Sequence, residues 1–499
     1  MDYLSFGLCI LLAWFAIQLL SRPGRSNSNT VILPPGPSPL PIFGNLFSLG
    51  NKPHRSLAKL AKTYGPLMIL QLGRVPTVVI SSAAMAKEAL QKNDISFSNR
   101  NIVDAIRALN HHENSVAWLP AGSKWRNLRK ICNSRVFSTS RLDACQSIRK
   151  DKVKRLLSYV ENCSEDQVAV DIGHVAFTTT LNLLSSTFFS MDMGDPTSEF
   201  ARQFRNTIRS IMEEVGKPNI ADFFPILKKV DPQGIRRRSS VHFQKMVDIF
   251  EALIDERIQG KRPSGSIQAR NDVLDELIGI DQEQVEEIEP SKIPFLLADL
   301  FAAGTDTTST TLEWAMTELV RNPQKMKKAQ LELQEIVGKG NSLEECDISQ
   351  LLYLQAVIKE TLRLHPAVPL LLPRKVDLDV KLFEFTVPKN AQVLVNAWAI
   401  GRDPDIWQNP YSFEPERFLG SQIDVKGHDF ELIPFGAGRR ICPGLPLAIR
   451  MLHLMLGSLI HGFDWKLQDG VLPEEMNMDE KFGIALEKAE RLRVIPVRV

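Results

Sequence analysis

Cysteine is scarce in this 499-residue chain, which has only six, and none stands in a C-x-x-C pair or at regular spacing. That excludes a disulfide framework or a zinc ribbon and suits a reducing compartment. An excess of charge is lacking too: the formal net charge of +2 gives no electrostatic basis for a nucleic-acid partner. Arg236 Arg237 Arg238 therefore reads as a solvated or membrane-facing patch. The nine histidines show no ligand spacing. His112 Glu113 is followed by Asn114, Ser115 and Val116, which leaves the zinc helix H-E-x-x-H incomplete, and His365 and His453 read as structural. No internal repeat is present, and the nearest approach to low complexity is Ser26 to Thr30.

What is present begins with an apolar run, Tyr3 to Leu20, that as a helix would extend about 27 Å, close to the hydrocarbon thickness of a bilayer. Asp2 in place of a positive n-region, and no A-x-A site after the run, favour a retained anchor over a cleaved signal. Arg22 and Arg25 then leave the C-terminal body in the cytosol. The segment Pro34 Pro35 Gly36 Pro37 Ser38 Pro39 Leu40 Pro41 cannot be helical and reads as a spacer. The expected organisation is an anchor over 1–21, a polar and proline-rich linker over 22–41 and one body over 42–499, and the chain's 44% hydrophobic content is ample for a large core. Further on, Phe223 Phe224 Pro225 Ile226 Leu227 reads either as an apolar loop at a bilayer surface or as ordinary packing.

The richest stretch is Phe435 to Gly444, FGAGRRICPG, directly before the apolar helical run Leu445 to Phe463. Helix N-terminal amides near the Cys442 sulfur favour its thiolate, the form that binds iron. Gly438 and Gly444 would let the backbone pass close to a flat macrocycle, and Arg440 can reach a haem propionate. Gly436 and Gly438 could instead open a G-x-G-x-x-G dinucleotide loop, but Ile441 takes the last position and no clear strand precedes it.

A second informative helix carries Ile293, Leu297, Leu300 and Phe301 at helical spacing, with Ser291 as the expected cap. Ala303 and Gly304 remove bulk in mid-helix ahead of a threonine-rich run, so a widening or kink that admits dioxygen is expected there. Thr307 shares a face with Leu300 and can hydrogen-bond to bound dioxygen, while Asp306 can connect solvent to the site. The competing reading is threonine back-bonding within the helix and a salt bridge for Asp306. Glu360 and Arg363 lie three apart on the run Tyr353 to Leu364 and can engage Arg417 as a scaffold trio.

Phe435, Gly438, Arg440, Cys442 and Gly444 match every fixed position of F-x-x-G-x-R-x-C-x-G, and the chain resembles the cytochrome P450 superfamily of haem-thiolate monooxygenases. The resemblance continues through Pro415 Glu416 Arg417 Phe418, Glu360 with Arg363, Ala303 to Thr308, and Trp125 with Arg129. It implies a mainly α fold with a smaller β region, preceded by a single transmembrane helix. It also implies haem b held by Cys442 as metal ligand, with Trp125, Arg129, Arg374, Phe435 and Arg440 around it and Asp306 and Thr307 as catalytic residues. NADPH would act through NADPH–cytochrome P450 reductase, docked on a basic face that includes Arg126, Lys130 and Arg439, with cytochrome b5 as a further partner at the endoplasmic reticulum membrane. The chain looks most similar to the plant microsomal branch of geraniol hydroxylases and sesqui- or diterpene oxidases, with Asp231 to Arg238 as one branch-like stretch. Hydroxylation of a terpenoid is the leading expectation, and oxidation of phenolics, alkaloids or xenobiotics is the alternative. A reductase-independent isomerase or dehydratase is disfavoured because such relatives often lose the acid and threonine pair, and a haem sensor would not need that pair. Pocket segments implied by the resemblance are 102–119, 297–302, 367–371 and 482–486, with Phe301, Val368, Leu370, Ile484 and Leu486 expected to bury an apolar substrate.

Overall fold

The computed structural model describes residues 32–194, 199–259, 272–279 and 289–498. The expected membrane span and the stretch Ser26 to Thr30 lie outside the described residues. Helices dominate the body. Those that shape its interior are α1 (Ser123–Ile131), α2 (Ile172–Phe189), α3 (Glu199–Gly216), α4 (Ile235–Ile258), α5 (Ile293–Arg321), α6 (Leu352–Leu364) and α7 (Leu445–Gly462). The largest sheet among the described residues has five strands: β1 (Leu67–Leu72), β2 (Val75–Ile80), β3 (Asn99–Arg100), β4 (Arg374–Lys375) and β5 (Gln392–Val395). Their order across the sheet is β1-β2-β5-β4-β3, with β2 and β5 parallel and the other pairs antiparallel. The strand-like runs read at 67–72 and 77–80 are therefore real, and their hairpin turns at Gly73 with φ +57°.

The proline-rich segment is extended as expected, but its inner residues belong to the folded body. The Ile69 N–H donates to the Pro35 carbonyl, and the Asn45 side-chain amide donates to those of Pro37 and Ser38. A Cβ on Gly36 would stand 1.8 Å from the Ile69 carbonyl oxygen, so glycine is required by how closely this segment lies on β1.

Helix α5 runs for 29 residues through the centre and packs on α2, α4, α6 and α7. Its two halves serve different cores. Ile293 to Ala302 join a cluster in which Phe301 meets the rings of Phe188, Phe189, Phe204 and Phe250 at 5.3–5.8 Å. Leu312 to Val320 join a second cluster with α6 and α7. Each fully buried large side chain contributes about 1.5–3 kcal/mol, so packing at both ends outweighs the weak helix propensity of the threonines between. The expected kink is absent: the helix is continuous, and the hydroxyls of Thr305, Thr307, Thr311 and Thr317 each donate to the carbonyl four residues back. Ser291 is not the cap either. It lies inside a short 3-10 turn, Pro290–Lys292, and α5 starts at Ile293 with Pro294 in its first turn. Helix α7 is long and apolar enough to cross a membrane, but its inner face is packed in the second core.

Glu360, Arg363 and Arg417 form the trio read from sequence. Arg363 grips Glu360 through two bonds of 2.7 Å, Arg417 reaches it at 3.0 Å, and the Glu414 N–H adds a bond of 2.8 Å. Arg363 also donates to the carbonyls of Pro410 and Ser412, which ties α6 to the loop ahead of the cysteine segment. Both Glu360 and Arg363 side chains are wholly buried. Arg363→Ala would take the bidentate partner from the buried Glu360 and leave it with Arg417 as its one cation, at a cost of about 3–5 kcal/mol. The expected outcome is loss of folded, haem-loaded protein, read as the ratio of haem absorbance to protein absorbance after purification. A normal ratio would show that the trio does not hold the segment.

Candidate active site

A buried cavity of about 320 Å³ lies in the seam between the two cores. Ala303 and Gly304 line it beside Thr307, so the opening comes from missing side chains on an intact helix. Cys442, Phe435, Arg440 and Gly444 line the same cavity, as do Trp125, Arg129 and Arg374. The structure thus gathers seven of the eight sequence-predicted site residues around one space. Asp306, the eighth, is absent from the lining, because one residue along an α-helix is a rotation of about 100°.

Cys442 sits in the turn before α7, its N–H bonded to the Phe435 carbonyl at 3.0 Å. Burial raises its thiol pKa, while the backbone amides of Gly444 and Leu445 and the Arg129 guanidinium act to lower it. A cationic or metal partner at the sulfur would complete that stabilisation. Gly438 has a different role from the one read in the sequence. Its φ is +67° and a Cβ there would stand 2.1 Å from the Leu90 carbonyl oxygen, so the close approach is to the protein backbone. A Cβ on Gly444 would meet only ordinary contacts, with Phe137 at 3.7 Å and the Cys442 sulfur at 3.9 Å.

One wall of the cavity concentrates positive charge. Arg440 donates to the carbonyls of Ser98, Val116 and Leu119, and its guanidinium lies 4.1 Å over the Trp125 ring. Trp125 gives its indole N–H to the Val116 carbonyl, so it supports Arg440 from below. Arg374 donates to the Phe97 carbonyl, and its buried Nε has no partner. Arg100, which sequence reasoning missed, faces Arg374 across the β3–β4 register and donates to the carbonyls of Ala117 and Leu372. Burial lowers the pKa of all four arginines, to about 10 for Arg374 and about 9 for Arg440. No carboxylate among the described residues forms an ion pair with them, since the nearby Asp94 is taken by Arg439 at 3.0 Å. Like charges directly opposite in a sheet are destabilising unless an anion lies between them. The site therefore fits a flat, dianionic macrocycle whose metal faces the sulfur, which is the chemistry of haem. Cys442 would ligate it, and Arg100, Arg129, Arg374 and Arg440 would hold its acidic edge.

The rest of the lining is apolar, from α2, α3, α4 and the 102–119 loop, but not all of the expected residues contribute. Val368 and Ile484 do; Phe301, Leu370 and Leu486 are core. Leu183, Leu184, Ile211, Met212 and Phe243 contribute without having been foreseen. Nor is the lining uniformly apolar: Asp299 and His111 face the cavity 2.7 Å apart. A charge inside the run Leu296 Leu297 Ala298 Asp299 Leu300 Phe301 was the signal for this pair. Among the described residues no cluster of His, Cys, Asp and Glu offers a separate metal site.

The family model for cytochrome P450 matches residues 34–492. Among curated proteins, the chain is 54% identical to a geraniol 8-hydroxylase of Swertia mussotii over 99% of each chain. It is 53% identical to a geraniol 8-hydroxylase of Catharanthus roseus, again over 99% of each. A drimenol monooxygenase of Persicaria hydropiper is 51% identical over the whole of this chain and 98% of its own length.

Asp306 yields the site's clearest pH dependence. Burial and the Glu487 carboxylate lift its pKa from 3.8 to about 7, against smaller opposing effects of Arg209 and Lys481. Because the folded value is the higher, the native state binds this proton more tightly than the unfolded chain. Its contribution to stability is complete below the ordinary carboxylate range and is lost as pH rises through about 7. Asp306→Asn stays neutral throughout. The variant should gain thermal stability relative to the parent between about pH 5 and pH 8. A gap in unfolding temperature that stays constant with pH would mean that Asp306 is ionised in the folded protein.

Proposed function

The chain belongs to the cytochrome P450 family, and from that premise we propose that it is an oxidoreductase that hydroxylates a small apolar terpenoid. The monooxygenase activity follows the family and the activities for which the relatives are named. The terpenoid substrate is supported by two geraniol 8-hydroxylases and a drimenol monooxygenase, each more than half identical to this chain. The single observation that carries the reading is the convergence of Cys442, the four arginines and Thr307 on one apolar cavity. Haem bound there would supply the activation of dioxygen and the insertion of one of its oxygen atoms into a C–H bond, the other leaving as water.

The chain's own residues would then divide the work. Leu183, Leu184, Ile211, Val368 and Ile484 exclude water and hold a hydrocarbon skeleton by shape. The Thr307 hydroxyl gives its proton to the Ala303 carbonyl at 2.7 Å, which leaves its lone pairs to accept a hydrogen bond from a group in the cavity. Asp306, with a carboxyl near half-protonation at neutral pH, delivers protons from the side of α5 that faces Glu487, Lys481 and Glu213.

Electrons come from NADPH through a separate reductase, docked on the face that carries the exposed Arg126, Lys130 and Arg439, with cytochrome b5 as a second donor. The protein sits at the endoplasmic reticulum membrane with its catalytic body in the cytosol, anchored over 1–21 and linked from residue 22 to the proline-rich segment, whose inner residues already pack on the body. A membrane-facing surface is supported by Ile226 at 83% and Phe47 at 71% exposure, beside Phe43, whose ring packs against Phe47 and Phe224. Phe223 and Phe224 themselves are half-buried. In the basic run, Arg236 pairs with Asp104 and Arg238 with Glu214.

Reduced, carbon-monoxide-treated membranes carrying the chain should show the long-wavelength Soret band of a thiolate ligand, and Cys442→Ser should abolish it. With reductase, NADPH and a panel of terpene alcohols and hydrocarbons, one or more should gain oxygen in step with NADPH consumption. Product formed without NADPH would replace this reading with a rearrangement activity.

A further inference from the structure

Ile484 enters the cavity from the tip of the C-terminal hairpin, whose strands Glu480–Lys481 and Glu487–Lys488 pair over two residues each. So short a ladder does not fix the irregular tip, 482–485, by itself. Its supports come from distant parts of the chain. On the second arm the Leu486 N–H donates to the Ala367 carbonyl at 2.8 Å, and the Leu486 carbonyl accepts the Trp314 indole N–H at 3.1 Å. At the tip, a Cβ on Gly216, the last residue of α3, would stand 2.5 Å from the Ile484 backbone nitrogen and 3.0 Å from Gly483, so the tip lies hard against α3.

The first arm is held by charge. Glu480, its side chain 1% exposed, meets the His54 Nε2 at 3.1 Å and the Arg55 guanidinium at 2.6 and 2.7 Å on Oε2, and accepts the Trp398 indole N–H on Oε1 at 3.4 Å. His54, wholly buried on the helix Pro53–Tyr64, also stacks on Phe482 at 5.5 Å with the rings 14° apart. Burial alone would raise the Glu480 pKa, but the hydrogen bond from His54 and the Arg55 charge outweigh it and bring it down to about 2, so the clasp is ionised at neutral pH. A buried ion pair is a costly way to join two short elements, and an apolar contact would join them as firmly. What the carboxylate adds is direction, because its bonds fix the hairpin at one distance and one angle from the helix. Glu480, His54 and Arg55 all lie outside the cavity lining. We infer that Glu480 is a positioning residue: by clasping the hairpin to the N-terminal helix it fixes how far Ile484 reaches into the cavity, and so how bulky a skeleton the site admits. The inference rests on the hydroxylase reading above and adds to it a size determinant away from the substrate.

The size preference is read from the affinities of a roughly ten-carbon acyclic and a roughly fifteen-carbon bicyclic terpene alcohol, each followed by the Soret shift it induces in the holoenzyme. Every partner of Glu480 is a donor, so the amide of Glu480→Gln turns an N–H toward one of them and loosens the clasp. This variant should keep the haem content and thiolate band of the parent and move the affinity ratio toward the larger probe by about threefold or more, against the roughly tenfold that one methylene commands in an apolar pocket. In an Ile484→Ala background the same substitution should leave the ratio where it is, because the side chain through which the clasp acts is gone. Amide hydrogen exchange over 482–486 should quicken about tenfold, the effect of one weakened hydrogen bond to a charged group. Lys52→Ala, which breaks only the exposed pair with Asp479 at 2.8 Å, should change neither readout. If Glu480→Gln fails to accumulate with haem, Arg55→Gln removes the cation from a side chain that is 43% exposed and should move both readouts the same way by less. An unchanged ratio, or a shift of equal size with and without Ile484, would overturn the positioning role and leave Glu480 as a clasp of the fold only. Terpene alcohols that neither bind to the parent nor turn over would overturn the functional reading instead; the exchange over 482–486 then decides the clasp, quickening in its favour and constancy against it.

Discussion

Four guanidinium groups share one wall of a buried cavity where, among the described residues, backbone carbonyls meet Arg100, Arg374 and Arg440 and no carboxylate pairs with any of the four, and most of the site's architecture answers that arrangement. Cations in such an environment repel one another through a poorly screening medium, and here burial already weakens their hold on their protons. The carbonyls of Phe97, Ser98, Val116, Ala117, Leu119 and Leu372 fix the direction of the guanidinium groups without neutralising them. A bound dianion does both. Binding of such a group to the native state alone adds its binding free energy to folding stability, so cofactor retention and fold integrity are one equilibrium. The short strands β3 and β4 make sense in that light: two residues each are too few to add much sheet, but they set Arg100 opposite Arg374.

The same logic explains why α5 stays straight. A helix shared between two cores is clamped at both ends; in its middle Thr305 and Thr308 to Thr311 are buried as well, while Ala303, Gly304 and Thr307 border the cavity. Small and hydroxylated side chains can occupy that middle because their hydroxyls satisfy themselves on the preceding turn. The cavity is the space that a pair of larger side chains at Ala303 and Gly304 would have filled, obtained without breaking a hydrogen bond.

How much of this could be read beforehand follows from the range of the interactions. The cysteine turn, the two central helices and the Glu360–Arg363 pair are local in sequence, and each carries its own spacing signal. The role of Gly438 was misread because its close neighbour, Leu90, is far away in the chain. Arg100 had no local signal at all: it matters only because β3 lies beside β4, a juxtaposition of residues more than two hundred positions apart. Phe301, Leu370 and Leu486 were apolar residues in the right segments, yet helical and strand geometry turns each of them into the core. The anchor read at the N-terminus stands on composition alone, since it lies outside the described residues.

The polar groups along α5 are sorted by angle, and on the function proposed above this sorting would let one helix keep its cavity apolar while moving protons. Thr307 and Asp299 point inward, where the Thr307 hydroxyl donates to the Ala303 carbonyl and the Asp299 carboxylate is clasped by the 102–119 loop. Asp306 points sideways, buried but with one oxygen unpartnered, toward a mixed-charge cluster that includes the Lys481–Glu213 pair. A carboxyl in that position is too costly to keep ionised and too close to solvent to stay permanently protonated. Had it stood one residue later, it would have brought its hydration into the cavity. On the role proposed for Asp306, the position next to Thr307 is the one that joins the solvent side of the helix to the cavity side.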